Sequence, residues 1–199
     1  SDWQEWDSAT WDEVNSIVDE KVIDPCNTED IPADRNVVDS KLVYKLKLNK
    51  DGTIDKYKAR LVARGFTQIY GEDFEETFAP VTQLNTVRAV LALSLHYRLK
   101  PHHLDVKTAF LNSTLSHDIY IKLPPGITIG GKTHGKLLKS LYGLKQAARD
   151  WHKLQESFIL GFDSRMKKSS VDPCLFTIVD GDMVAVVSTH VDDYIVATN

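Results

Sequence analysis

The chain has 199 residues, of which 42% are apolar, 26% charged and 9% aromatic, so it can build its own core and is neither disordered nor collagen-like. No apolar run approaches about 18 residues, the N-terminus lacks a basic, apolar leader, and there are two cysteines; we therefore expect no membrane span, no signal peptide and a reducing compartment. The net charge of −4 combines 12 acidic and 2 basic side chains in residues 1–40 with 2 acidic and 8 basic ones in residues 41–70.

The first 40 residues are predicted to form one helix followed by loops. Trp3, Trp6 and Trp11 share a helical face with the aliphatic residues that follow them, which predicts an amphipathic helix whose tryptophans dock against the core. Pro25 and Pro32 predict loops after it.

Residues 41–64 predict a β-hairpin. Apolar residues alternate with lysines up to Leu48, a turn with Gly52 follows, and the return strand runs to about Arg64. Alternate side chains of a strand point the same way, so one face of the return strand is predicted to be cationic. Its members are Lys56, Lys58, Arg60 and Arg64. Such a face suits a phosphate-bearing partner, and patchy surface charge is the alternative explanation.

The second half of the chain predicts an antiparallel sheet with helices packed on it, so the fold class is α+β. Two helices are expected, over residues 86–99 and 146–160. Strands are expected at residues 103–106, 175–179, 183–189 and 194–198, with a long loop or hairpin around residues 124–131. The residues predicted to face inward are Val87, Val90, Leu91 and Leu95 on the first helix and Ala147, Trp151, Leu154 and Phe158 on the second.

Two adjacent carboxylates, Asp192 and Asp193, are predicted at the tip of a hairpin between apolar strands. Without a cation this arrangement is unfavourable, through like-charge repulsion and partial desolvation. Asp105 ends another apolar strand, so three carboxylates could supply the ligands of a two-ion Mg²⁺ or Mn²⁺ site. A solvated Asp-Asp turn is the alternative. The histidines do not have zinc-ligand spacing with Cys26 or Cys174.

Five motifs in order give the chain a family resemblance. They are YKARLVARGFTQ at 57–68, ETFAPV at 76–81, LDVKTAFLN at 104–112, KSLYGLKQ at 139–146 and VDD at 191–193. On these residues the chain resembles the reverse transcriptases of copia-type retrotransposons over essentially its whole length.

The resemblance implies a right-hand polymerase with an antiparallel palm sheet backed by helices. Because Asn199 follows the acidic turn by a few residues, we expect a truncated fragment without the thumb, whose DNA synthesis is weak and poorly processive or absent. Residues 1–40 would be an acidic N-terminal extension, about 41–77 and 113–146 the fingers, and about 78–112 and 147–199 the palm. Asp105, Asp192 and Asp193 match the catalytic triad that binds two Mg²⁺ or Mn²⁺ ions, and the carbonyl of Val106 matches an additional metal ligand.

The resemblance also implies roles for basic and aromatic residues. Lys58 and Arg60 match residues that grip the incoming triphosphate, and Phe110 matches the gate that excludes a ribose 2′-OH. The remaining residues expected to contact the nucleotide are Lys107, Tyr142 and Gly143, and those expected to contact nucleic acid are Lys56, Arg64 and Lys145.

The implied activity is RNA-directed DNA synthesis, a nucleotidyl transfer. Its partners would be an RNA or DNA template with primer, deoxynucleoside triphosphates, and the RNase H and integrase domains of a parent polyprotein, with no membrane. The location would be a cytoplasmic virus-like particle, the nucleus, or both. His190, Ser113 and His117 depart from the residues usual in the family. Two other functions stay open: an inactive nucleic-acid-binding remnant, and an interaction module that uses the acidic, tryptophan-rich N-terminus.

Overall fold

The structure, a computed structural model, describes residues 2–199. Three α-helices and two five-stranded sheets occur in this range, so the expected α+β class is confirmed. None of the helices over these residues is both long and apolar enough to cross a membrane. In chain order the elements are α1 (Trp3–Asp19), β1 (Ile23–Cys26), β2 (Val37–Leu48), β3 (Ile54–Ala63), α2 (Leu84–His96), β4 (Lys100–Asp105), β5 (Tyr120–Lys122), β6 (His134–Leu137), α3 (Ala147–Phe162), β7 (Lys167–Lys168), β8 (Leu175–Asp180), β9 (Met183–His190) and β10 (Asp193–Thr198).

One compact unit, the hairpin unit, comprises the residues up to Thr77 together with Phe110–Ala147. Its sheet has the strand order β1-β6-β5-β2-β3, in which β2 and β5 run parallel and the other neighbours run antiparallel. Pro25 lies within β1 rather than in the predicted loop, because this short strand is defined by its pairing with the distant β6. The core of the unit contains Ile17, Val38, Leu61, Ile121 and Leu141.

The predicted hairpin is formed by β2 and β3, and its cationic face is present. Lys45 lies opposite Lys58, and Lys47 lies opposite Lys56. Because side chains alternate across a strand, Arg60 shares this face with the lysines of β3. The two strands therefore place like charges directly opposite each other, an arrangement that is unfavourable without a counter-charge.

Helix α1 packs on the opposite, apolar face of this hairpin. The ring of Trp6 lies edge-on to Tyr57 at 4.6 Å and to Tyr44 at 5.4 Å between ring centroids. Trp3 and Trp11 remain exposed, so the prediction that the tryptophans dock against the core holds for Trp6 and is wrong for the other two.

The other compact unit, the carboxylate unit, comprises Phe78–Ala109 and Ala148–Asn199. Its sheet has the order β4-β10-β9-β8-β7 and is antiparallel throughout. Helix α2 packs on one face through Val90, and α3 packs on the other through Ile159. Strand β4 is an edge strand whose residues are all exposed.

The inward face of α3 differs from the predicted one. Leu154 and Phe158 are exposed, whereas Gln155 and Ile159 are buried. Gln155 is buried because its amide donates to the carbonyl oxygen of Val191 at 2.6 Å. A polar residue with a tertiary partner thus takes a position that the apolar pattern assigns to its neighbours.

Helix α2 shows the same effect. Leu91 and Leu95, predicted to face inward, are exposed, and Val90 and Ser94 are buried. The hydroxyl of Ser94 donates to the carbonyl of Val90 at 2.7 Å, which satisfies this polar group within the helix. The buried face of α2 therefore contains Val90 and Ser94 instead of Leu91 and Leu95.

Candidate functional site

Asp105 and Asp193 face each other across two neighbouring strands. Asp105 is the last residue of β4, Asp193 is the first of β10, and the two are paired in register. The N–H of Val106 donates to the carbonyl of Asp192 at 2.9 Å, so Asp105 and Asp193 occupy the adjacent position without cross-strand hydrogen bonds. Side chains approach most closely at such a position, where Cα atoms are about 4.5 Å apart. The two carboxylates therefore project from the same face of the sheet at the shortest cross-strand spacing.

The backbone beside these carboxylates is strained. Val191 and Asp192 join β9 to β10, and Val191 has a φ of +54°. Thr108, on the segment that follows Asp105, has a φ of +51°. A β-branched residue in the left-handed region is an outlier that costs about 1–3 kcal/mol. Such strain persists only where the surrounding structure enforces it, and here it lies on both segments that carry the carboxylates.

Helix α3 holds the strained turn in place. The indole N–H of Trp151 donates to the carbonyl oxygen of Val191 at 2.8 Å, and the amide of Gln155 donates to the same oxygen at 2.6 Å. The amide of Gln155 also donates to the hydroxyl of Tyr194 at 2.8 Å. Both donor side chains are buried, so these contacts position the turn that carries Asp192.

His103 contacts one of the two carboxylates, that of Asp193. Its Nε2 donates to Oδ1 of Asp193 at 2.8 Å, and both side chains are more than half exposed. His103 lies two residues before Asp105, on the same face of β4. The facing carboxylates of Asp105 and Asp193 repel each other. A hydrogen-bond donor such as His103, or a bound cation, relieves that repulsion.

The donor set suits a divalent ion in charge and in chemistry. Carboxylate oxygens are the ligands that Mg²⁺ and Mn²⁺ prefer, and Asp105 and Asp193 present them from one face. Over residues 2–199, however, no group of three or more His, Cys, Asp or Glu side chains is close enough to hold a metal ion. The two-ion site that adds Asp192 and the carbonyl of Val106 therefore stays a prediction.

Three residues that the sequence assigns to a nucleotide lie together in the hairpin unit. The guanidinium carbon of Arg60 lies 4.5 Å from the ring centroid of Tyr142, a cation–π contact. The ring of Phe110 lies edge-on to Tyr142, with centroids 4.9 Å apart. This row places the guanidinium of Arg60 beside two aromatic side chains.

Gly143 is needed for the packing of the Tyr142 segment. It has a φ of +89°, and a Cβ at this position would lie 2.1 Å from the carbonyl oxygen of Ala63. The N–H of Ala63 donates to the carbonyl of Tyr142 at 2.8 Å. The segment therefore joins the end of β3 backbone to backbone, and only glycine fits there.

Lys58 is a partly buried lysine on the cationic face. Its pKa is lowered, first by burial and then by the positive charges of Arg60 and Lys47, while Glu13 opposes the shift. The carboxylate of Glu13 accepts the N–H of Leu61 at 3.0 Å. A negative charge at this face would relieve the repulsion between the facing lysines.

The residues predicted to contact nucleic acid have different surroundings. Lys56 is exposed, and so is Lys107, which the resemblance assigns to the nucleotide instead. Arg64 lies one residue beyond the end of β3, so the strand register does not include it and its place on the face of Lys56 stays a prediction. The ammonium of Lys145 lies 4.6 Å from the ring centroid of Phe74, so it already has a cation–π partner.

A buried carboxylate, Asp172, was missed by sequence reasoning. It accepts the N–H of Cys174 at 2.9 Å, the N–H of Gln83 at 3.1 Å and the hydroxyl of Thr82 at 3.3 Å. Burial by itself would raise its pKa, but hydrogen bonds from Thr86 and these partners outweigh burial and lower the pKa. Asp172 thus ties the segment before α2 to the start of β8, a long-range role that leaves no local pattern.

Comparison with known proteins identifies the family. The profile of the family described as reverse transcriptase (RNA-dependent DNA polymerase) matches residues 26–199. The chain belongs to this reverse transcriptase family. Since its relatives are transposon polyproteins, the resemblance to copia-type retrotransposon enzymes is confirmed.

Three relatives of this reverse transcriptase chain are curated polyproteins. Identity is 42% over 154 residues with the retrovirus-related Pol polyprotein from transposon TNT 1-94 of Nicotiana tabacum, which covers 74% of the chain and 11% of the relative. Identity is 33% over 200 residues with the retrovirus-related Pol polyprotein from transposon RE1 of Arabidopsis thaliana, and the match covers 98% of the chain and 13% of the relative. Identity is 32% over 181 residues with the transposon Ty1-H Gag-Pol polyprotein of Saccharomyces cerevisiae, and the match covers 84% of the chain and 9% of the relative. The chain thus spans about a tenth of the length of these relatives.

Proposed function

We propose that the chain is the catalytic part of a reverse transcriptase domain that copies RNA into DNA within a copia-type retrotransposon polyprotein. The observation that carries the proposal is the in-register pair Asp105 and Asp193, next to Asp192 in a strained turn. A strained turn held by buried donors around carboxylates is expected of a reaction centre rather than of a solvated loop.

The metal-binding role is assigned to Asp105, Asp192 and Asp193, with the carbonyl of Val106 as a further ligand. Bound Mg²⁺ or Mn²⁺ ions, two in number, would supply the positive charge needed when a primer 3′-oxygen attacks the α-phosphate in line. The chain itself supplies the geometry. Strand β4 presents Asp105 at the sheet edge, and α3 fixes the carbonyl of Val191 beside Asp192.

The fingers and palm of a right-hand polymerase are assigned by the same reasoning. Residues about 41–77 and 113–146 would be the fingers, about 78–112 and 147–199 the palm, and 1–40 an acidic extension. The proposal is supported by the two compact units, whose boundaries after residues 77, 109 and 147 lie within about three residues of this division.

The incoming nucleotide is proposed to contact the cationic and aromatic row of the hairpin unit. Lys58 and Arg60 would bind the triphosphate, since a guanidinium pairs with phosphate through two hydrogen bonds. Phe110 would exclude a ribose 2′-OH. Tyr142, held by its contact with Arg60, and Gly143 would pack against the nucleotide, with Lys107 as a further contact.

The template and its primer are proposed to bind at Lys56 on the cationic face of the hairpin. The facing pairs on the hairpin favour this role, because a phosphate backbone relieves the repulsion between Lys47 and Lys56. Arg64 and Lys145 would add contacts. The other proposed partners are deoxynucleoside triphosphates and the RNase H and integrase domains of a parent polyprotein, in a cytoplasmic particle or the nucleus.

Primer extension on an RNA template with Mg²⁺ tests the proposed function. The variants are Asp192→Asn and, as a matched control, Asp182→Asn, which lies between β8 and β9 in the same sheet. We expect the control to extend the primer like the wild type and Asp192→Asn to lose at least about 100-fold in rate. Equal product from both variants would refute the metal mechanism. Salt-dependent binding of template without synthesis by the wild type would favour the inactive remnant.

A further inference from the structure

A groove in the hairpin unit has four aromatic side chains in its lining, those of Trp3, Trp6, Trp11 and Tyr44. It has a volume of about 520 Å³ and lies between α1, β2 and the turn at Pro125. Trp3 is 72% exposed, Trp11 is 42% exposed and Tyr44 is 49% exposed. Large aromatic surfaces that face solvent together are unusual on a soluble domain and mark a binding surface.

The floor of this groove is preformed. Trp6 is held edge-on between Tyr44 and Tyr57, and the hydroxyl of Tyr44 lies 3.1 Å from Oγ1 of Thr10. These contacts fix the floor in one conformation, so a ligand would not have to order it.

The charge around the groove selects its ligand. Helix α1 carries five acidic residues and no lysine or arginine, and Asp7 is part of the groove lining. Single-stranded nucleic acid also stacks on aromatic residues, but these carboxylates repel a phosphate backbone. A cationic ligand is attracted both by Asp7 and by the faces of the indole rings.

The aromatic lining of the groove favours an extended peptide. Aromatic-lined grooves bind proline-containing segments, because such segments are already extended and lose little conformational entropy on binding. We infer that the groove binds a basic, proline-containing segment of another protein. An arginine or lysine of that segment lies beside Trp3 and Trp11, with its charge near Asp7.

Calorimetric titration of the full chain tests this inference without reference to polymerase activity. The probe is a short peptide of Pro-Pro-Arg repeats. Three comparison ligands separate the contributions: Pro-Pro-Glu repeats test charge, Gly-Ser-Arg repeats test proline, and oligothymidylate tests nucleic acid. We expect the first peptide to bind best and to weaken with added salt.

Variants locate the binding site. Trp3→Ala and Trp11→Ala should each weaken the Pro-Pro-Arg peptide by about tenfold and Asp7→Asn by about threefold. Phe66→Ala and Asp34→Asn, exposed positions outside the groove, should leave binding unchanged. Circular dichroism checks that α1 is retained. If a tryptophan variant loses helix, the peptide affinity of Asp7→Asn is used instead to test whether the groove is the binding site.

Four results would overturn the inference. They are no binding of the Pro-Pro-Arg peptide to the wild type, equal binding of the glutamate peptide, full binding by the groove variants, and displacement of the peptide by oligothymidylate. The last result would assign the groove to nucleic acid instead.

Discussion

The indole N–H of Trp151 donates to the carbonyl oxygen of Val191 at 2.8 Å, one residue before Asp192. Gln155, one helical turn further along α3, donates to the same oxygen at 2.6 Å. Two buried donors thus converge on a single carbonyl whose residue has a left-handed backbone. The position of the carboxylates depends on this helix as well as on their own strands.

Removing one donor should therefore impair the reaction centre. In Gln155→Leu a buried hydrogen bond to Val191 is lost, a loss of about 1–3 kcal/mol in the stability of the turn. We expect kcat for single-nucleotide extension to fall about tenfold or more, with little change in the KM for the nucleotide. Lys153→Ala, on the exposed side of α3, is the control. A wild-type kcat for Gln155→Leu, or a change in KM alone, would contradict the positioning role.

Gly143 offers a test of the hairpin unit. Gly143→Ala combines a positive φ with a Cβ placed 2.1 Å from the carbonyl oxygen of Ala63. Gly131→Ala is the matched control, because its φ is also positive but nothing lies within 4 Å of the new Cβ. We expect the control to destabilise the chain by about 1–2 kcal/mol and Gly143→Ala by clearly more, since the backbone must also move. Urea unfolding measures both, and equal losses would show that the close approach is unimportant.

Asp172 should make stability depend on pH. The pKa of its carboxyl in the folded chain is lowered below the ordinary range of an aspartate, so the ionised carboxylate stabilises the fold at higher pH. The stabilisation is lost as the pH falls through the folded pKa. Asp172→Asn should therefore be less stable than the wild type near pH 7, with the gap closing below about pH 4. Denaturant unfolding at several pH values measures the gap, and a gap of constant size down to pH 2 would contradict this assignment.

The facing lysines predict the salt dependence of template binding. Lys47→Gln removes one charge opposite Lys56. We expect weaker binding of an RNA–DNA duplex and a slope of log K against log salt that is smaller by about 0.7–0.9. Lys21→Gln, an exposed lysine after α1, is the control. An unchanged slope for Lys47→Gln would remove this part of the hairpin from the nucleic-acid interface.

Local patterns in the sequence were sufficient for the hairpin and for the acidic turn. Alternation of lysine and apolar residues predicts β2 and β3, and the register puts Lys58 and Arg60 on one face as expected. Asp105 ends its strand and Asp192 lies in its turn, also as predicted. These features depend on neighbours in the chain, which a sequence pattern contains.

Features that depend on distant partners were not predicted. The burial of Gln155 follows from a carbonyl on another element, and that of Asp172 follows from donors before α2. The apolar pattern therefore predicts the burial of Ala147 and Trp151 on α3 correctly, but it is wrong for Leu154 and Phe158. Strand β1, which contains Pro25, is defined by its pairing with the distant β6. The local sequence around this proline does not contain that partner and predicts a loop instead.

Binding of Mn²⁺, followed by the loss of the free-ion electron paramagnetic resonance signal, tests the central claim most directly. The comparison is between the wild type, Asp105→Asn and the control Asp182→Asn. If Asp105 and Asp193 hold a divalent ion on the face they share, the wild type and the control bind Mn²⁺ saturably and Asp105→Asn binds it at least about tenfold more weakly. Equal Mn²⁺ binding by all three proteins would contradict the account.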